Sequence, residues 1–139
     1  MYCLDSMFIM DYLNKKINLT DQLRTILSSK LYITPFSLFE LYYGIYKLKT
    51  KNPNFNFERR EKEILSFTNK FQLINYTKAA AIKSAEILNR LETSGKIIEI
   101  VDIMIASTAI VHQCTTILTR NEDHFKRIKE LHTQSYELI

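Results

Sequence analysis

The sequence predicts a single α/β domain in which parallel strands are covered by helices on both faces. Two observations carry this. Short β-branched and aromatic runs alternate with longer helical stretches along the whole chain, an order that argues for parallel strands joined by helical crossovers. The 139 residues, 46% of them apolar with only two prolines and two glycines, also have the size and composition of one compact unit. A chain this long buries roughly 68–70% of its unfolded surface, enough for a core without metal or disulfide staples.

Met1 to Leu4 is a short apolar opening and the first strand, followed by helical stretches from Ser6 to Asn14 and from Asp21 to Ser29. Leu31-Tyr32-Ile33 is the second strand, ended by Thr34-Pro35. That pair starts a helix, because threonine caps orphan amides and proline is tolerated at the first helical position. The helix runs from Pro35 to Lys49, and Thr50 to Asn56, with Asn-Pro-Asn in its middle, reads as a loop. A helix from Phe57 to Phe71, a strand from Gln72 to Tyr76 and a helix from Thr77 to Thr93, stopped near Gly95, come next. Asp102 to Gln113 is the last helix, and Thr115 to Thr119 and His132 to Leu138 are the remaining strands.

The same composition excludes several enzyme classes. Two glycines cannot write the dinucleotide fingerprint, the phosphate-cradling P-loop or a glycine-flanked nucleophile elbow. Asp5 and Asp11 lie early without a basic cluster, unlike a secretory signal. The longest uncharged run, Ile103 to Thr119, falls short of the ~20 apolar residues of a membrane span. The expectation is a cytoplasmic protein that does not engage a membrane. Cys3 and Cys114 lack CxxC spacing and read as two buried thiols, and three scattered histidines offer no zinc spacing.

Net charge is +4, and the segment from Lys47 to Lys62 alone carries that balance, with Lys47, Lys49, Lys51, Arg59, Arg60 and Lys62 against Glu58 and Glu61. Either an anion-attracting field is focused there or the run is a solvated linker and helix start.

In parallel α/β sheets ligands gather beyond the carboxyl ends of the strands. Asp5, followed by Ser6, stands at the first such end, and Asn121, Glu122 and Asp123 follow the strand Thr116 to Thr119. Asp102 opens its helix. Each aspartate also reads as a helix cap. Glu40 is different, since it lies inside a helix. At about 100° per residue, Leu38, Leu41, Ile45 and Leu48 form an apolar stripe, while Phe36, Tyr43 and Lys47 surround Glu40 on the other side. Gly44, one turn on, leaves room on the glutamate's side, although a surface glutamate paired with Lys47 is the plain alternative. Ala106, Ala109 and Gln113 share the face of Asp102 and let it press against another backbone. Three carboxylates converging from three elements repel one another, a conflict that a hard divalent ion such as Mg²⁺ or Mn²⁺ resolves.

The opening Tyr2-Cys3-Leu4-Asp5-Ser6, the segment Phe39-Glu40-Leu41-Tyr42-Tyr43-Gly44-Ile45, the run Asp102-Ile103-Met104-Ile105-Ala106-Ser107-Thr108-Ala109, and Leu118-Thr119-Arg120-Asn121 followed by His124-Phe125 together resemble the PIN-domain ribonucleases, and among them the VapC-type toxins. The four pieces occur in family order over nearly the whole chain. The resemblance implies a three-layer α/β/α sandwich with a central, mostly parallel sheet. Its acidic cluster would bind Mg²⁺ or Mn²⁺ and cleave single-stranded or looped RNA to leave a 5′-phosphate and a 3′-hydroxyl. The family acids fall on Asp5, Glu40 and Asp102. The fourth polar position falls on Asn121, with Ser6 and Thr119 as supporting hydroxyls and Glu122 or Asp123 helping through a water. Asn121 brings no charge, which bears on a second metal. His124 stands where many relatives carry aspartate, and it is given no catalytic role here. The resemblance further implies a small antitoxin covering the site and a homodimer.

Acids at the centre repel RNA, so a positive rim is needed, for which Arg120, Lys47 and Lys49 are the candidates. Tyr42, Tyr43 and Tyr46 either stack on unpaired bases or pack in the core or a subunit interface. The competing reading, from a different class, is a catalytically silent RNA- or protein-binding domain that keeps the acidic pocket for folding, with Asn121 as its support.

Overall fold

A computed structural model describes all residues from Met1 to Ile139. Its elements in chain order are β1 (Tyr2–Leu4), α1 (Ser6–Leu13), α2 (Asp21–Leu27), β2 (Leu31–Ile33), α3 (Pro35–Lys51), α4 (Phe57–Thr68), β3 (Gln72–Leu73), α5 (Lys78–Thr93), α6 (Ile100–Val111), β4 (Thr116–Leu118), α7 (Glu122–Phe125) and β5 (His132–Gln134). The five strands form one parallel sheet in the order β3-β2-β1-β4-β5.

Alternation along the short strands divides the core. Leu4, Leu31, Ile33 and Leu118 face the cluster built from α1 to α4, with Phe8, Leu41, Ile45 and Ile64 at its centre. Ile117 meets Ile87, Ile103 and Phe125 from α5, α6 and α7, while Cys3 and Tyr32 meet Ala109 and Cys114 in a smaller group. The period of two in a strand thus yields helix layers on both sides of the sheet, an α/β sandwich. Both cysteines are free and fully buried. No helix is long and apolar enough to cross a membrane.

The strand order places the site. From β1 the chain winds outward through β2 to β3, then returns across α5 and α6 to add β4 on the other side of β1. The reversal opens a crevice between the carboxyl ends of β1 and β4, where ligands of such sheets bind.

Several boundaries differ from expectation. The helix expected to reach Phe71 stops at Thr68, and β3 and β5 are two and three residues long instead of five and seven. Past β3 only the Ile74 amide still reaches β2, at the Ile33 carbonyl, and past β5 the chain leaves β4 to pair antiparallel with the segment after α1, Leu138 opposite Ile17. Helix α7 was not anticipated; it is one turn with no apolar period, held by buried Phe125. Helix α6 starts two residues before Asp102, which therefore lies inside the first turn and does not cap it. Leu48, assigned to the apolar stripe of α3, is exposed because α3 projects past the sheet by its last turns.

Candidate active site at the switch in strand order

Asp5 follows β1 directly and is the N-cap of α1, its Oδ1 accepting from the Phe8 amide at 2.8 Å. Its other oxygen accepts from the Thr119 hydroxyl at the end of β4. Asp5 therefore both caps α1 and ties it to the end of β4. The Thr119 Oγ1 in turn accepts from the Asn121 amide at 2.8 Å, which holds the β4–α7 turn against β1.

Glu40 is delivered by α3. Thr34 caps that helix through the Ser37 amide at 3.2 Å, Pro35 occupies its first turn, and the Ser37 hydroxyl donates to the Leu4 carbonyl at 3.4 Å. These bonds pin the start of α3 beside the end of β1. The Ser6 hydroxyl then donates to Glu40 Oε1 at 3.0 Å. Asp102 enters from α6, where fully buried Ala106 and Ala109 allow close packing of the helix. The imidazole of His124 lies with Nδ1 2.9 Å from Asp102 Oδ2 and 2.9 Å from the Asn121 side-chain amide. An unbroken series of polar contacts thus runs from Asp5 through Thr119, Asn121 and His124 to Asp102.

The three acids share a field. Burial pushes the Asp5 carboxyl up to about 6 against the opposing bonds from Thr119 and Phe8, and repulsion from Asp102 and Glu40 adds to it. Glu40 is raised by burial and by repulsion from Asp102 and Glu99. Asp102 is raised by burial and by Glu99, although His124 pulls the other way. Each carboxylate therefore resists ionisation while its neighbours are charged.

The donor set suits a hard cation. Glu40 Oε2 and Asp102 Oδ1 take no protein hydrogen bond, and neither is among the buried unpartnered atoms, so both open to water. No three acidic, histidine or cysteine side chains form a ready-made metal shell. Hard divalent ions of the magnesium type keep several waters and need only a few carboxylates, so a loose oxygen set fits them better than it fits zinc.

Other expected residues lie differently. The Asp123 side chain is exposed and makes no direct hydrogen bond, and Glu122 accepts from the Thr133 hydroxyl at 2.9 Å. Arg120 points to α1, where its Nε lies 2.8 Å from Asp11 Oδ2. Lys47, seven residues from Glu40 on α3, shares its face and stands 5.1 Å over the Tyr43 ring. Lys49, nine residues on, takes the opposite side and stands 5.0 Å over Phe57. Tyr42 is half-buried, whereas Tyr43 and Tyr46 are 57% and 54% exposed and do not pack in the core. The sequence reading missed Glu99, one turn before Asp102, and the pairing of His124 with Asp102. The i, i+3 spacings Glu99–Asp102 and Asn121–His124 were the available signals.

The PIN-domain family model matches residues 2–131. Ribonuclease VapC2 of Rickettsia felis is 30% identical over 105 residues, 76% of this chain and 73% of the relative. Among solved structures, VapBC2 from Rickettsia felis bound to a DNA fragment from its promoter matches with a TM-score of 0.81 and 26% identity, covering 98% of each chain. DNA-bound VapBC from Salmonella typhimurium matches with a TM-score of 0.77 and 25% identity over 96% of each chain.

Proposed function

Because this chain belongs to the PIN-domain family, we propose that it is an endoribonuclease dependent on Mg²⁺ or Mn²⁺, acting in the cytoplasm as the toxin partner of a small protein antitoxin. The reading is supported by the polar contacts that link Asp5 through Thr119, Asn121 and His124 to Asp102, with Glu40 held by Ser6 beside Asp5, at the switch in strand order. Its relatives among the VapC ribonucleases and VapBC complexes support the substrate and the partner.

Asp5, Glu40 and Asp102 would hold the ion by their oxygens. When bound, it supplies the positive charge that polarises a phosphoryl oxygen and acidifies an attacking water. Thr119 and Ser6 orient Asp5 and Glu40 by donating to one oxygen of each, which leaves other lone pairs for the cation. His124 does the same for Asp102. Water would attack phosphorus in line and give a proton to one of the carboxylates as the P–O3′ bond breaks and O3′ takes a proton from solvent, so the products carry a 5′-phosphate and a 3′-hydroxyl. Asn121 holds the turn through its backbone and brings no charge of its own. Lys47, on the Glu40 face, is the proposed contact to the RNA backbone, with the Tyr43 ring beneath it. The aromatic side of α3, with Phe39, Tyr43 and Tyr46 more than half exposed, offers apolar area for a homodimer or antitoxin contact.

The test is cleavage of a labelled single-stranded RNA by purified protein in Mg²⁺, in Mn²⁺ and in chelator, with Asp5→Asn and Glu40→Gln alongside. Cleavage in either metal, lost in chelator and in both variants while circular dichroism is unchanged, is the expected result. Cleavage persisting in Asp5→Asn removes the assignment. Calorimetric silence toward Mn²⁺ together with intact RNA supports a silent binding domain.

A further inference from the structure

One buried carboxylate has no place in the chemistry above. Asp11 lies on α1 six residues beyond Asp5, is only 6% exposed, and sits on a helix whose other buried residues are Phe8 and Ile9. A carboxylate at that depth is tolerated only with strong donors, and Asp11 has three. Arg120 Nε reaches Oδ2 at 2.8 Å, its Nη2 approaches Oδ1 at 3.4 Å, and the Tyr136 hydroxyl donates to Oδ2 at 2.7 Å. Burial and then the bond to Asp11 push the Tyr136 phenol well above its usual range, so it remains a donor at any working pH.

Arg120 is the residue between Thr119 and Asn121. The turn that carries the Asp5 donor and the His124 partner is therefore gripped by α1 at two points, through Thr119 at Asp5 and through Arg120 at Asp11. Six helical residues separate the grips by about 9 Å, enough to resist rotation as well as sliding of the turn. The Thr119 amide also donates to the Gln134 carbonyl at 3.0 Å, so the segment leading to Tyr136 closes the same turn from its other side. A planar guanidinium suits the task because two nitrogens face one carboxylate, a fork that lysine cannot present.

We propose that Asp11 is a positioning residue for the nuclease site, acting through Arg120 and seconded by Tyr136 to fix the Thr119–Asn121 turn against the helix that Asp5 caps. The proposal rests on the nuclease reading for its kinetic consequence. Its structural consequence stands alone. Arg120 serves in it as a clamp, and an RNA-gripping Arg120 predicts a different kinetic signature.

The experiment compares wild type, Asp11→Asn and Tyr136→Phe by steady-state cleavage of a short RNA and by amide hydrogen exchange at Thr119 and Asn121. Asn keeps the shape and an acceptor for Tyr136 but removes the charge that holds the fork. For Asp11→Asn the expected results are a fall in kcat of about tenfold with KM changed less than about twofold. Exchange at Thr119 and Asn121 accelerates about tenfold while amides of α5 keep their rates. Should Asp11→Asn fail to fold, Tyr136→Phe, which leaves the Arg120 pair in place, shows the same signs at smaller amplitude. A rise in KM at unchanged kcat, or unaltered exchange at the turn, overturns the proposal. If wild-type protein cleaves nothing, the nuclease reading fails, and the exchange data still decide whether Asp11 holds the turn.

Discussion

Asp5 carries the largest electrostatic burden of any residue in the site, and its pH behaviour follows from that. Its carboxyl is raised to about 6 from an ordinary value of 3.8, so the fold favours its protonated form. Below pH 3.8 both folded and unfolded chains hold the proton. As pH rises toward 6 the unfolded chain releases it first, and folded-state stability falls until both are ionised, by about 3 kcal/mol in all. Cation-free protein should therefore lose stability between about pH 4 and 6 in a chemical-denaturation series, and saturating Mg²⁺ should return most of it at neutral pH. Asp5→Asn keeps an acceptor for Phe8 and removes the charge, so it should raise Tm in chelator at pH 7 by several degrees while abolishing cleavage. A Tm that does not rise means that burial of Asp5 costs the fold nothing. His124 makes the converse case. His124→Ala strips Asp102 of its donor and should weaken Mn²⁺ binding by about tenfold or more in calorimetry, the usual effect of losing a residue that orients a metal ligand. Asp5, Glu40 and Asp102 could be singled out as candidates because their neighbours along the chain are distinctive. The partners of Asp102 and Asp11 could not be, since they come from 22 and 109 residues away and nothing local marks them.

At the scale of an element, α3 shows what local sequence decides. Thr34-Pro35 fixes its start, and the structure places the cap and the proline where the sequence puts them. Its two faces were legible in the sequence as well, except for Leu48, whose burial depended on where the sheet ends. The short helix was the opaque element: four residues of α7 hold no full hydrophobic period, and contacts through Phe125 create it, whereas β3 was placed correctly at Gln72 and only its length, set by the edge of β2, was not legible. Gly44 remains the odd residue of α3, because a glycine inside a helix costs about 1 kcal/mol relative to alanine. A Cβ placed there meets nothing within 4 Å. Gly44→Ala should thus raise stability of the isolated chain by about that amount, seen as a higher midpoint in urea with unchanged slope. If the same variant weakens association with an antitoxin or a second copy, the glycine serves close approach of that partner to the Glu40 side of α3.

On the proposed function, the molecule as a whole must bring a polyanion to a cluster of carboxylates. The net charge of +4 attracts RNA from a distance, but within the site the acids oppose it, so the approach depends on where cations stand relative to Glu40. Lys47 is about 10 Å farther along α3 on the same face, a little over one Debye length at physiological salt, and its ammonium lies over the Tyr43 ring, against which Phe39 also stacks. Lys49 lies over Phe57 of α4 and Arg60 is held between Glu63 and Asn14, so these two cations are less free to meet substrate. Binding of single-stranded RNA to the inactive Asp5→Asn protein should weaken with salt, and adding Lys47→Gln should lower the log–log slope by about 0.7, one phosphate contact's worth on a single strand. Lys49→Gln should change it much less. Equal effects from the two lysines would move the RNA track off the Glu40 face of α3 and onto the side that α4 shares, where Arg59, Arg60 and Lys62 lie.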